Sequence, residues 1–265
     1  MKTVKFFVAG FLLIAACSCQ ASARGSEITE EFHHSYALSH NGSVHLNNVN
    51  GGVEVKVWDR DEVKVDAVKH ADDKDMMNRV RILVNASSDL VDIDTKYPDD
   101  ENGRGDHGLW VEYTVTVPRN ANLDEMRTVN GDIEISGVSG KLNASTVNGT
   151  VRASDVGSDC RLETVNGNVG VNFVKLKPGS DATLKTVNGS IDIDLPDGAN
   201  AKVKANTVSG HISNDFGWIS SLENGEHSFV KVGDSVAGKI GNGDSQIDAE
   251  SVNGSIRIVK SGEGK

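Results

Sequence analysis

The sequence predicts an all-β protein: a single-chain β-solenoid of stacked, parallel β-helix-like coils, preceded by a β-rich N-terminal region. Two observations support this prediction. The 265 residues include 28 glycines but only 4 prolines, and 5% are aromatic, a composition that suits short strands joined by tight turns. A tetrapeptide, Thr-Val-Asn-Gly, also recurs through the C-terminal half. Recurrence at a regular period is the signature of a repeat architecture.

The tetrapeptide gives the period of the repeat. Its copies and near-copies begin at Asn48, Thr128, Thr146, Thr164, Thr186, Thr207 and Ser251. From position 128 to position 207, successive copies start 18, 18, 22 and 21 residues apart. The last interval, from 207 to 251, is 44 residues, or two periods of 22. We therefore expect one degenerate coil there, with residues 239–243 as its remnant.

Alternating apolar residues predict two strands in each coil. They occur before the tetrapeptide, as at Leu142 and Ala144, and after it, as at Val151 and Ala153. A period of two indicates strands with one buried face. An isolated antiparallel hairpin would also use the Asn-Gly turn. Stacked coils, unlike a hairpin, explain why the same residues return every 18 to 22 positions.

The asparagine of each tetrapeptide is predicted to be structural. Stacking places each asparagine about 4.8 Å from its counterpart in the next coil, so the side-chain amides can hydrogen-bond along the stack. The ladder is assigned to Asn130, Asn148, Asn166, Asn188 and Asn253. The tetrapeptide valine, for example Val165, is expected inside the coil together with Ile191, whereas Arg152 and Asp192 are expected outside.

The chain is predicted to contain three segments. Residues 1–23 form a leader and tail, and residues 126–265 form the repeat solenoid. Between them, residues 24–125 form a β-rich part with a short helix near 72–79. Acidic residues fall in the first turn of this helix, where the helix dipole stabilises negative charge.

The first residues are typical of a signal peptide. Lys2 and Lys5 precede an apolar run at 6–16, which is too short for a membrane-spanning helix of about 20 residues. The residues before Cys17 resemble a lipobox and predict a lipid on Cys17, and hence an outer-membrane lipoprotein of the cell envelope. The small residues that end at Ala23 are compatible instead with cleavage after Ala23, which would leave a soluble periplasmic protein.

The order of motifs resembles a known family. Alternating valines lead into Trp58-Asp-Arg-Asp61, a later strand closes at Val117-Pro118, and serial Thr-Val-Asn-Gly coils follow. Over residues 40 to 260 this order resembles the bacterial adhesin-domain family of unknown function of the DUF4097 type. The resemblance implies an extracytoplasmic β-solenoid, often anchored to lipid or membrane. It implies no catalytic residues, and it links some members to envelope-stress regulation.

Candidate site residues are few. A recognition patch is predicted at Phe216, Trp218 and Phe229, because binding tends to occur where a scaffold departs from its repeat. The acidic stretch 99–106 could offer oxygen ligands to calcium, but it lacks the spacing of an EF-hand. The sequence contains no catalytic elbow, phosphate-binding loop or metal-ligand motif, and Cys160 is expected to be buried. We therefore predict no catalytic residues, cofactor or metal.

These features favour a non-enzymatic exported envelope protein whose solenoid surface serves binding or adhesion. The net charge of −11 argues against nucleic acid as a partner. The expected partners are an envelope protein or glycan, and the membrane through the lipid on Cys17. One alternative is an envelope-stress sensor or regulatory lipoprotein, which the family resemblance alone supports. The other is a β-helix enzyme for acidic polysaccharide, which rests on analogy of fold.

Overall fold

The structure, a computed structural model, describes residues 27–98, 108–218 and 233–261. The leader with Cys17, the acidic stretch at 99–106 and Phe229 lie outside these ranges. The described residues form twenty strands and one short helix, which confirms the all-β class.

The N-terminal part contains seven strands and the helix. Their bounds are β1 (Ile28–Ala37), β2 (Ser43–Asn47), β3 (Val53–Trp58), β4 (Glu62–Ala71), α1 (Lys74–Arg79), β5 (Arg81–Ala86), β6 (Leu90–Lys96) and β7 (Leu109–Pro118). The helix falls where one was predicted, and the side chain of Asp73 caps it by accepting a hydrogen bond from the backbone N–H of Met76 at 2.8 Å.

Thirteen described strands follow. Their bounds are β8 (Asn122–Arg127), β9 (Ile133–Ser136), β10 (Leu142–Ser145), β11 (Val151–Val156), β12 (Cys160–Asn166), β13 (Val169–Phe173), β14 (Asp181–Asn188), β15 (Ile191–Leu195), β16 (Ala201–Ser209), β17 (Ile212–Asn214), β18 (Asp234–Ile240), β19 (Ser245–Asn253) and β20 (Ile256–Lys260).

The strands form two sheets of ten. Sheet A has the order β1-β4-β7-β3-β9-β11-β13-β15-β20-β17, and sheet B has the order β18-β16-β19-β14-β12-β10-β8-β2-β6-β5. Each coil contributes one strand to each sheet, and neighbouring coils pair in parallel. This arrangement is the predicted solenoid. Antiparallel strands complete both ends: β1 and β4 next to β7, β5 next to β6, and β18 next to β16.

The coils do not stack in chain order. The β19–β20 coil lies between the β14–β15 coil and the β16–β17 coil. The prediction of a degenerate coil is therefore wrong, because residues 239–243 cover the end of antiparallel strand β18 and the turn after it. The other end of the stack has the same arrangement, with the β2–β3 coil between the β6–β7 and β8–β9 coils.

Alternation holds within strands but stops at the bends. Ile191 is fully buried and Cys160 is buried, as expected. The placement of Val165 inside the coil is wrong, because 40% of this residue is exposed. At the bend, Thr164 faces the core, and Val165 and Asn166 both face the solvent.

Candidate binding surfaces

The threonine of the tetrapeptide faces inwards because it satisfies a backbone carbonyl. Thr164 Oγ1 donates to the carbonyl oxygen of Gly149, one coil away, at 2.9 Å. The same bond, at 2.8 to 3.0 Å, joins Thr128 to Gly51, Thr146 to Gly131, Thr186 to Gly167, Thr207 to Gly254 and Ser251 to Gly189. The glycine is required because backbones approach closely here: a Cβ on Gly167 would lie 1.9 Å from the carbonyl oxygen of Gly149.

The asparagines form a continuous line of side-chain amides on the outside of the bend. Each Nδ2 donates to the Oδ1 of the previous coil at 2.8 to 2.9 Å. In stacking order the line is Asn50, Asn130, Asn148, Asn166, Asn188 and Asn253. The sequence analysis did not assign Asn50 to the ladder, although Asn50 occupies the asparagine position of the near-copy that begins at Asn48. Because each amide bonds to the next, the ladder holds neighbouring coils together.

The tetrapeptide valines form an exposed apolar line beside the asparagines, which we call the valine stripe. Its members are between 36% and 51% exposed. In stacking order they are Val49, Val129, Val147, Val165, Val187, Val252 and Val208. At a strand spacing of about 4.8 Å, seven coils make a stripe about 29 Å long. The sequence analysis missed this surface because it placed these valines in the core.

A groove of about 640 Å³ follows the stripe over five coils. Valine methyl groups form one wall, and the outward side chains two residues earlier in each coil form the other wall. That second row contains Ser145, Glu163, Lys185, Glu250 and Asn206. Within this row, Lys185 and Glu250 of neighbouring coils form a salt bridge at 2.8 Å. Glu163 forms another with Arg161 at 2.7 Å. The groove is therefore apolar along one side with a charged rim on the other.

A second, more polar depression of about 370 Å³ lies on the outer face of sheet A. Gly170 has no side chain, so a dip remains between Arg152 and Asp192 on the neighbouring strands. Asp192 accepts a hydrogen bond from Arg257 Nε at 2.8 Å, which raises the pKa of Arg257. The carboxylates of Asp192 and Asp194 therefore lie on an open outer surface beside the Arg257 guanidinium.

The aromatic residues of the predicted recognition patch are brought together in part. The rings of Phe216 and Trp218 stack with centroids 5.0 Å apart, and Trp218 lies directly on Gly238 of β18. Asn214 Oδ1 accepts hydrogen bonds from the backbone N–H groups of both aromatic residues at 3.0 to 3.1 Å. Both rings are half-buried and cover the end of the core. Phe229 lies outside the described residues, so its place beside them stays a prediction.

The ionisable groups of the described residues do not form a recognisable reaction centre. In residues 27–98, 108–218 and 233–261, no cluster of three His, Cys, Asp or Glu side chains could hold a metal ion. Burial raises the pKa of the Cys160 thiol to about 12, so this thiol stays protonated and unreactive. None of the described helices is long and apolar enough to cross a bilayer.

Comparison with protein families gives the assignment. The family model described as Toastrack DUF4097 matches residues 118–259. The chain belongs to this family. The match begins at the last residue of β7, so the Toastrack segment holds the coils from β8 onward, and β1 to β6 lie before it.

One solved structure shares the fold of this chain. A "putative cell adhesion protein" from Clostridium sporogenes has a TM-score of 0.51 and 13% identity, over 88% of this chain and 100% of that chain. A "putative adhesin" from Bacteroides fragilis has a TM-score of 0.31 and 11% identity, over 88% of this chain and 97% of that chain. No curated protein matches this chain. The likeness to the C. sporogenes protein concerns the fold alone.

Proposed function

We propose that this Toastrack protein is a non-enzymatic envelope protein that binds a partner along the side of its solenoid. The observation that carries the proposal is the valine stripe with its groove. A polar side chain at a solvent-facing bend would interact with water more favourably than the side chain of valine does. An apolar line about 29 Å long, with a polar rim, is typical of an interaction surface.

The shape of the molecule supports the same function. A solenoid presents long, regular faces because each coil contacts mainly its neighbours. The description of the C. sporogenes protein as a "putative cell adhesion protein" is in keeping with a binding role. Phe216 and Trp218, with Phe229, are proposed as a second contact at the end of the stack.

A catalytic role has less support. Hydrolysis or elimination needs an acid, a base or a nucleophile that converge in a concave site. In the part of the chain that the structure describes, the carboxylates lie on outer faces, and Cys160 is buried. We therefore expect no turnover of uronate, glucan or peptidoglycan polymers.

We also propose that the protein acts in the cell envelope, held at the outer membrane by a lipid on Cys17. The motif before Cys17 supports this location. Cleavage after Ala23, with release into the periplasm, is the alternative.

Binding through the stripe can be tested with a matched pair of triple variants. One variant carries Val147→Thr, Val165→Thr and Val187→Thr, which keep the β-branched shape but make the stripe polar. The other changes the same three valines to Ile, which keeps the stripe apolar. The probes are isolated bacterial sacculi and outer-membrane vesicles, with co-sedimentation as the measurement. We expect the threonine variant to bind about tenfold less to one probe and the isoleucine variant to bind normally. Equal binding of the two variants would contradict the proposal.

A further inference from the structure

The first strand leaves one end of sheet A open for pairing. Among the described residues, β1 pairs only with β4, in an unbroken antiparallel register from Ile28 opposite Ala71 to Ala37 opposite Glu62. No strand in the ranges 27–98, 108–218 and 233–261 pairs with the other edge of β1, which is about 33 Å long. Proteins commonly protect such an edge with a proline, a bulge or a very short strand. β1 has ten residues and none of these three features, although Glu30 and Glu31 give it charged side chains, which also discourage pairing of an edge.

The inner face of β1 is also only half covered. Ile28, Phe32 and Tyr36 point towards the core but stay partly exposed. On the adjacent strand β4, by contrast, Val63 and Val65 are fully buried. Glu30 and His34 lie between those three residues of β1 on the same face, with Glu30 in an ion pair with Lys69 and the His34 ring stacked with Phe32 and Tyr36. Packing at this end therefore stops half-way across a mixed layer, and one further strand beside β1 would cover its apolar members.

The sequence of β1 is complementary to itself. A two-fold axis normal to the sheet pairs two copies antiparallel and keeps both inner faces on the same side. With the axis at Phe32, the two Phe32 rings meet and Ile28 lies opposite Tyr36 of the second copy. Aromatic and apolar pairs of this kind stabilise neighbouring strands.

The charges select the same register. With the axis at Phe32, Glu30 lies opposite His34 of the second copy and Glu31 lies opposite His33. By symmetry each acid–imidazole pairing occurs twice, in addition to the pairs that Glu30 makes with Lys69 and that His33 makes with Glu31 and Asp66 within one copy. Moving the axis to residue 31 would place Glu31 opposite Glu31, and like charges directly opposite are destabilising. Moving it to residue 33 would place His33 opposite His33 and lose both acid–imidazole pairings.

We propose that two copies of this protein form a symmetric dimer in which β1 pairs antiparallel with β1 of the second copy about an axis at Phe32. The dimer joins the two ten-stranded sheets into one continuous sheet of twenty strands. It places the two valine stripes on one elongated particle, which would give two-site binding to any repetitive partner. The dimer does not depend on the binding function proposed for the stripe.

A charge exchange tests the register. An acidic variant carries His33→Glu and His34→Glu, and a basic variant carries Glu30→Lys and Glu31→Lys. A control variant, Arg152→Gln with Lys204→Gln, lowers the net charge as much as the acidic variant does at pH 7.4 but changes exposed residues far from β1. The full-length proteins are purified in detergent and studied by native mass spectrometry and sedimentation velocity.

We expect the unchanged protein and the control to be dimers. The acidic and basic variants alone should dimerise at least about tenfold more weakly, because the acidic variant places Glu opposite Glu and the basic variant replaces every acid–imidazole pairing by a lysine opposite a histidine. An equimolar mixture of the two should form the heterodimer, which also shows that both variants fold. A monomeric unchanged protein, an acidic variant that dimerises as strongly as the control, or a mixture without heterodimer would overturn the proposal.

Discussion

Exchanging the two residues at one bend gives a direct test of which side chain supports the coil. Thr164 is 5% exposed, and its hydroxyl donates to the carbonyl oxygen of Gly149 at 2.9 Å. Thr164→Val keeps the size and the β-branch but removes this donor. The lost hydrogen bond and the unsatisfied carbonyl should together lower the free energy of unfolding by about 1–3 kcal/mol. Val165→Thr, at a residue that is 40% exposed, should change it by less than about 0.5 kcal/mol.

Urea unfolding followed by far-UV circular dichroism measures both effects. The double variant Thr164→Val with Val165→Thr has the same composition as the unchanged protein, so it serves as the control. It should be destabilised as much as Thr164→Val alone. If Val165→Thr proves the more damaging single change, the valine and not the threonine faces the core, and the account of the bend given above is wrong.

Four further outcomes are expected. Ile191→Asp buries an unpaired charge and should lower the free energy of unfolding in urea by about 4 kcal/mol or more. Asp192→Ala, on the outer face, should lower it by less than about 0.5 kcal/mol. Similar losses from the two variants would refute the assignment of faces. Gly167→Ala should lower stability by at least about 2 kcal/mol in the same assay, because its Cβ would meet a backbone carbonyl at 1.9 Å. Iodoacetamide at pH 8 should modify the Cys160 peptide only after unfolding, as peptide mass mapping can show, because burial raises the thiol pKa to about 12. Intact-mass analysis of protein from cells should find a lipid on Cys17, and a mature protein that begins after Ala23 would contradict this.

The ends of the solenoid could not be derived from the repeat. Every coil offers its neighbour the same threonine, asparagine and glycine, so the strand with Ser251 can stack on the strand with Thr186 as well as on the strand with Thr207. The 44-residue interval therefore fitted two periods equally well. Only the long-range pairing shows that the chain passes one coil position, reverses through β18 and returns to fill it.

The candidate binding surface was hidden by a local effect. Alternation predicts burial along a strand because successive side chains point to opposite faces. At the bend this rule ends, and Val165 and Asn166 both turn outwards after Thr164. Periodicity alone gave no means of seeing that the stripe and its groove lie on the surface.

The sequence by itself determined the class of fold, the period of the coils and the inward face of their strands, because these depend on local patterns that repeat. The tertiary structure decided the order in which coils stack, the exposure of the valines and the open edge of β1. Each of these depends on which distant segment lies beside a given strand. A repeated sequence says little about that choice, because its coils are interchangeable as neighbours.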